Sequence, residues 1–331
     1  MRVLAGDIGG TKTSVALYDV EAGRLDLLTA ETYPSRNHDS LTDIVQRFVD
    51  TYDIQCDYAS FGIAGPVRNG VCKTTNLPWT VDARRLGVEA GFRHVWLIND
   101  LEANAWGISA LQHEDFHVLS EGAADAHGNA AIIAAGTGLG QAGLYWDGNC
   151  HRPFASEGGH SDFAPANELE FALLQFLQKR YHHVSWERVV SGMGLVNIFE
   201  FLCDYRSYQV PPWLAETMQT GDSAAAISRA AQGDNCPVCS EALDLFVHFY
   251  GVEAGNHALK IMATGGVFIG GGIAPKILSK LKEPAFLDGF HNKGRMEPLM
   301  RSMPVKVILN DRTALYGPAV YAASELERRA E

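Results

Sequence analysis

The chain has 331 residues, 47% apolar and 20% charged, with 27 Lys and Arg against 39 Asp and Glu and a formal net charge of −12. That acidic balance argues against a nucleic-acid partner, which clustered Lys and Arg would hold, and no apolar run approaches the ~18 residues of a membrane span. Six irregularly spaced cysteines point to reduced thiols, and the four-residue apolar run before Asp7 is too short for a secretory signal, so a cytoplasmic protein of about two domains is expected.

Residues 3–7 read as a strand running into the stretch GDIGGTKTS. TSVALYDV (13–20) alternates, with Val15 and Leu17 on one face and Ala16, Tyr18 and Val20 on the other, and residues 21–24 read as the turn that ends it. In SLTDIVQRFVDTYD (40–53) the apolar residues at 41, 44, 45, 48 and 49 form a helical face, with Ser40 placed to cap it. YASFGIAGPV reads as a buried strand ending in Gly-Pro. HVWLIND (94–100) is another, followed by the helical LEANAWGISAL. AAIIAAGTGLGQAGLYWDGN repeats the opening order of strand, Gly-rich turn and strand. GGVFIGGGIAPKIL is strand, glycines and a helix with Pro275 in its first turn. Two strand–turn–strand loops in one chain suggest two related domains facing each other. The stretch from Pro211 to Ser223 reads as the least structured.

The Gly-rich loops pose a chemical question. GDIGGTKT has the backbone N–H groups, Lys and hydroxyls of a phosphate cradle, yet Asp7 within it would repel a phosphate. The P-loop reading is the weaker one, because Thr11 stands where the second Gly belongs and an alternating strand follows where a helix should. GLGQAG (138–143) spells G-x-G-x-x-G, but LYWDGN after it is a strand and turn, whereas a dinucleotide site needs a helix. Two β-hairpin turns gripping one polyphosphate satisfy both contexts. Asp7 then holds Mg²⁺, directly or through water, and the cation separates carboxylate from phosphate. Cys236 and Cys239 have CxxC spacing, but His248 and His257 do not complete a finger pattern, so the pair reads as small side chains at a helix start.

Taken together, DIGGTKT (7–13), GIAGPV (62–67), TTNLPW (74–79), LINDLEANAWGI (97–108), AAGTGLGQA (134–142), SEGGHSDFAP (156–165), WERVVSGMGLVNIF (186–199) and GGVFIGGGIAPK (265–276) resemble the bacterial glucokinases of the sugar-kinase, hexokinase and actin-like ATPase superfamily. The resemblance runs to the C-terminal RTALYGPAVYAA. The related repressor–kinase group carries a Cys-rich zinc motif after its ExGH segment. Here the Cys-free APANELEFALLQFLQ follows instead, and no N-terminal helix-turn-helix is read. The resemblance implies an α/β two-domain actin-like ATPase (ribonuclease H-like) fold with an interdomain cleft. A small domain (1–110, completed by a C-terminal helix at 312–331) and a large one (111–311) are expected.

It further implies an ATP:D-glucose 6-phosphotransferase that uses Mg²⁺ and forms a homodimer. A kinase for another hexose (mannose, fructose or an N-acetylhexosamine) and a non-catalytic sugar sensor stay open as alternatives. Asp100 is expected as the general base that accepts the proton of the sugar C6 hydroxyl. A helix cap is the competing reading for it and Asn99. Asn99, Asp100, Glu157, His160 and Glu187 are the expected sugar ligands, with Asn76 as an added contact. For Glu187 the competitor is a capping box begun by Ser185. Gly6, Asp7, Ile8, Gly9, Gly10, Thr11 and Lys12 form the first phosphate hairpin, and Thr137 and Gly138 the second. Gly265, Gly266, Gly270 and Gly271 are expected to leave room for adenosine, against tight strand–helix packing as the alternative.

Overall fold

The computed structural model describes residues 1–21, 24–74, 76–233 and 236–330. The chain divides into two compact units, one made of residues 1–115, 152–155 and 310–331, the other of 116–151 and 156–309.

The first unit is built on a five-stranded sheet in the order Arg24–Pro34, Lys12–Glu21, Arg2–Ile8, Tyr58–Ile63, His94–Asn99. The first three strands are antiparallel and the last three parallel. Period-two alternation sends Leu4, Ile8 and Val15 to one face and Val3, Ala5, Ala16, Tyr18 and Val20 to the other, so both faces are buried. Leu41–Tyr52, capped by the Ser40 side chain as expected, covers the first face with Ile44, Val45 and Phe48. Leu315 and Ala319 of the C-terminal helix Thr313–Ala330 cover the second. The turn expected at 21–24 includes Ala22 and Gly23, which lie outside the described residues; Glu21 and Arg24 pair across it.

In the second unit, strands Leu139–Trp146, Ala130–Ala135, Gly266–Gly270, Val305–Ile308 and Phe116–Ser120 lie side by side in that order. An antiparallel hairpin followed by parallel partners repeats the order of the first unit. The 25-residue helix Pro237–Ile261 contributes Phe246, Val247, Tyr250 and Ala254 to the core beside the sheet residues Ile133, Val267 and Ile269. Cys236 caps that helix, its sulfur 3.4 Å from the Cys239 N–H, and both thiols are buried. One expectation is corrected here. The stretch from Pro211 to Ser223 contains the helix Pro212–Thr220, which begins with proline at a position that needs no N–H and buries Leu214. Its short, polar face gave no clear period. Among the described residues no helix is long and apolar enough to cross a membrane.

Candidate active site

In the first unit the parallel strands Arg2–Ile8, Tyr58–Ile63 and His94–Asn99 end level with one another, since Ile8 pairs with Ile63 and Ile63 with Asn99. Chemistry in open α/β sheets gathers at such carboxyl ends. Asp7 lies one residue before its strand's end, and Asp100 follows directly after Asn99. Burial, and then the charge of Asp100, pushes the Asp7 carboxyl up to about 6. Two neighbouring carboxylates, one with a raised pKa, form a site that a cation would relieve.

Asn99 is the cap of helix Asp100–Gly107. Its Oδ1 accepts from the Leu101 N–H at 2.9 Å, while its amide donates to the Gly65 carbonyl at 3.2 Å. The Asp100 carboxylate also accepts from Leu101 N–H, at 3.0 Å. Between Ile8 and Lys12 the chain reverses tightly, with the Gly9 N–H donating to the Lys12 carbonyl at 2.9 Å. Thr11 and Lys12 are exposed there. Ser35 fixes the turn from outside: its hydroxyl donates to Gly9 O at 2.8 Å and its N–H to Thr11 O at 3.0 Å. Asn76 packs against Gly10, where a Cβ would come 2.6 Å from its own. The structure therefore brings Asn76 to the first hairpin. Gly6 lies within the strand, its Cα against the Phe61 ring.

In the second unit the hairpin turn spans Gly136, Thr137 and Gly138, closed by Gly136 N–H to Gly138 O at 2.9 Å. The next residue, Leu139, ties Glu187 to the loop that carries Glu157 and His160. Its N–H donates to Glu187 Oε2 at 3.0 Å, and its carbonyl is packed so closely on Gly159 that any Cβ there would collide with it. Glu157 and His160 flank Gly159, with Oε2 and Nε2 3.9 Å apart and both side chains exposed. The Asp162–Ser185 bridge, with Trp186 N–H to Ser161 O at 3.0 Å, ties this loop to the Trp186–Arg188 turn that carries Glu187. Glu157, His160, Glu187, Thr137 and Gly138 thus share one neighbourhood. The capping box weighed for Glu187 does not form, because the Ser185 side chain makes no cap bond.

Gly270 pairs with Ala134, and the Ile273 N–H donates to the Ala135 carbonyl at 3.3 Å, so Gly270 and Gly271 sit beside the second hairpin. Gly265 and Gly266 do not. They open the strand at its other end, roughly 13 Å away at ~3.3 Å per residue, where Gly265 packs on the Gly128 and Asn129 carbonyls.

Sequence reasoning missed the residues that hold these loops: Ser35, Gln141, Tyr250 and Glu253. Each bonds a partner at least 20 residues away along the chain, and no local pattern marks them. Among the described residues no group of three or more His, Cys, Asp or Glu forms a metal cluster. Mg²⁺ needs only one or two carboxylates when substrate phosphates and water complete its shell, and Asp7 fits that role.

The family model described as Glucokinase matches residues 4–325. The chain is 43% identical to a glucokinase of Nostoc punctiforme over 336 residues, covering 97% of this chain and 98% of that one. The solved glucokinase from an Antarctic psychrotroph superposes with a TM-score of 0.86 at 31% identity, over 98% of this chain and 99% of that chain. A ROK family glucokinase from Streptomyces griseus, solved with glucose and AMPPNP, shares the fold with a TM-score of 0.63 at 22% identity, over 98% and 100% of the two chains.

Proposed function

The chain belongs to the glucokinase family, with its two-domain actin-like ATPase fold, and from that premise we propose that it transfers the γ-phosphoryl group of ATP to the 6-hydroxyl of D-glucose, giving glucose 6-phosphate and ADP. The observation that carries the reading is that Leu139, directly after the Thr137–Gly138 turn, bonds Glu187 through its N–H and packs its carbonyl on Gly159, in the loop that carries Glu157 and His160. A sugar bonded there has its reacting hydroxyl beside a ready-made phosphate hairpin.

Asn99, Asp100, Glu157, His160 and Glu187 bond the ring hydroxyls, with Asn76 adding a contact beside the first hairpin. Acceptors aimed at hydroxyls reject analogues that lack them, because the site's polar groups would be left unpaired. Asp100 receives the proton of the C6 hydroxyl as its oxygen closes on the γ-phosphorus. Asp100 is suited to this because it follows a strand end on a rigid helix start, and positioning carries most of such a reaction. Backbone N–H groups of the turns at 9–12 and 136–138 and of Gly270–Gly271 cradle the phosphates and leave room for adenosine. Bound Mg²⁺, held by Asp7 directly or through water, would neutralise charge on the transferring phosphoryl group. The protein works in the cytoplasm as a homodimer in this reading.

A coupled assay with glucose, mannose, fructose and N-acetylglucosamine against ATP, ADP and polyphosphate tests the proposal. Glucose with ATP should give the highest kcat/KM and depend on Mg²⁺. A higher value for another hexose, or no turnover with any sugar, would overturn it. Gel filtration at micromolar concentration checks the dimer.

A further inference from the structure

The helix Pro237–Ile261 presents Tyr250, Glu253 and His257 at spacings i, i+3 and i+7, all buried, and all bonded to strands of the second unit. Polar groups inside a core are costly unless each one is bonded, and these bonds end at particular places. The Tyr250 hydroxyl accepts from the Ala135 N–H at 3.1 Å and lies within donating distance of the Ile133 and Gly270 carbonyls, at 3.2 and 3.1 Å. Ala135 is the last strand residue before the Gly136–Gly138 turn, and Gly270 the last before Gly271. One hydroxyl therefore pins the points where both Gly-rich loops leave the sheet. Glu253, fully buried, accepts from the Gln141 amide at 2.7 Å and from Asn256 at 3.0 Å. The other end of the Gln141 amide, its carbonyl oxygen, packs directly on Gly158, between Glu157 and Gly159. His257 bonds the Ala142 carbonyl at 3.0 Å and completes the stripe.

We infer that Tyr250 is a positioning residue for the nucleotide loops and that Glu253, acting through Gln141, is a positioning residue for the Glu157–His160 loop, so that one helix sets the two substrate subsites through separate side chains. The inference rests on the function proposed above. Volume alone does not account for the choice of residues. Phenylalanine would fill the space of Tyr250, and glutamine that of Glu253, but neither would make the same bonds. A glutamine in place of Glu253 would turn its own amide N–H₂ toward either the Gln141 or the Asn256 amide, donor against donor.

The test uses the full chain with Tyr250→Phe, Glu253→Gln, and the exchange Glu253→Gln with Gln141→Glu, which restores an amide–carboxylate pair with its direction reversed. Small displacements remote from the chemistry cost up to about 100-fold. Tyr250→Phe should therefore raise KM for ATP by about 10-fold or more and leave calorimetric glucose affinity within about twofold of wild type. Glu253→Gln should do the reverse, and the exchange should recover most of the loss for glucose. Should Glu253→Gln fail to fold, the exchange variant and Tyr250→Phe still separate the two subsites. Parallel changes in both KM values that track thermal stability, or no change in either, would overturn the assignment while wild-type turnover leaves the functional reading intact. A wild type that binds no glucose and turns over none would overturn both.

Discussion

At the position after His94–Asn99, the same two residues carried two readings, a helix cap and a catalytic pair, and the structure assigns the cap to Asn99. Asp100 is thereby separable from it. Asp100→Asn keeps the Asn99–Leu101 bond and an amide oxygen for the same N–H, so the helix start and the fold should survive. Turnover should fall by about 10²–10⁴, the usual contribution of a positioned base, with glucose still bound. Circular dichroism and steady-state kinetics check this, and activity within a few-fold of wild type would remove Asp100 as the base. Asp7 gives a complementary case. Asp7→Ala removes the carboxylate that burial and Asp100 push up to about 6. It should raise the Mg²⁺ concentration needed for half-maximal rate and leave glucose affinity in the absence of nucleotide unchanged. Equal losses of sugar and metal dependence would make Asp7 a support of the fold instead. Glu187 shows the limit of residue-level reading. Its place in the first turn after Ser185 suggested a local capping bond, but its carboxylate bonds Leu139, 48 positions away.

At the scale of elements, the two hairpins were legible because alternation marks strands and glycine marks the tight reversal between them; Val15 and Tyr18 fall on the faces that their period predicts. The strand Arg24–Pro34 was not legible. It is an edge strand that buries Tyr33 alone, and one-sided exposure erases the apolar alternation. Ser35, Gln141, Tyr250 and Glu253 were invisible for a different reason, since tertiary partners give a polar residue no periodic signature. Lys293 belongs to the same group and supports a pH prediction. Its ammonium donates to the Val252 and Gly289 carbonyls at 3.0 and 3.4 Å, joining the two helices Pro237–Ile261 and Pro284–His291. Burial outweighs the attraction of Glu253 and lowers its pKa to about 8. The unfolded chain holds that proton up to roughly 10.4, so between the two values it binds more protons than the folded one. Stability contributed at this site should rise as pH increases from about 8 to 10, by about 1–3 kcal/mol after allowance for solvent screening. Lys293→Met keeps the aliphatic stem and should flatten that rise in urea titrations at pH 7.5 and 9.5. An identical slope in variant and wild type would mean that the ammonium is solvated.

For the molecule as a whole, each unit has its own buried core, Phe48 and Phe61 among the residues of one and Phe199, Phe246 and Phe286 among those of the other. The repeat of hairpin and parallel strand was readable as two similar stretches of sequence, whereas the return of residues 310–331 to the first unit was expected from the family resemblance alone, since no repeat announces that packing. Separate cores give each unit its own unfolding equilibrium, and a ligand stabilises only what it binds. In the proposed reaction glucose is held by Asn99 and Asp100 of one unit and by Glu157, His160 and Glu187 of the other, so its binding energy is linked to both. Free glucose at 100 times its Kd adds about 2.7 kcal/mol to whatever must unfold to release it. For units of this size that is roughly 5–10 °C. Scanning calorimetry should therefore show glucose raising the lower-melting transition, whose unfolding releases the sugar, and Asn99→Ala in one unit or Glu187→Ala in the other should each abolish most of that shift. A shift that survives either substitution at full size would show that one unit binds the sugar by itself, and the two-sided site would have to be abandoned.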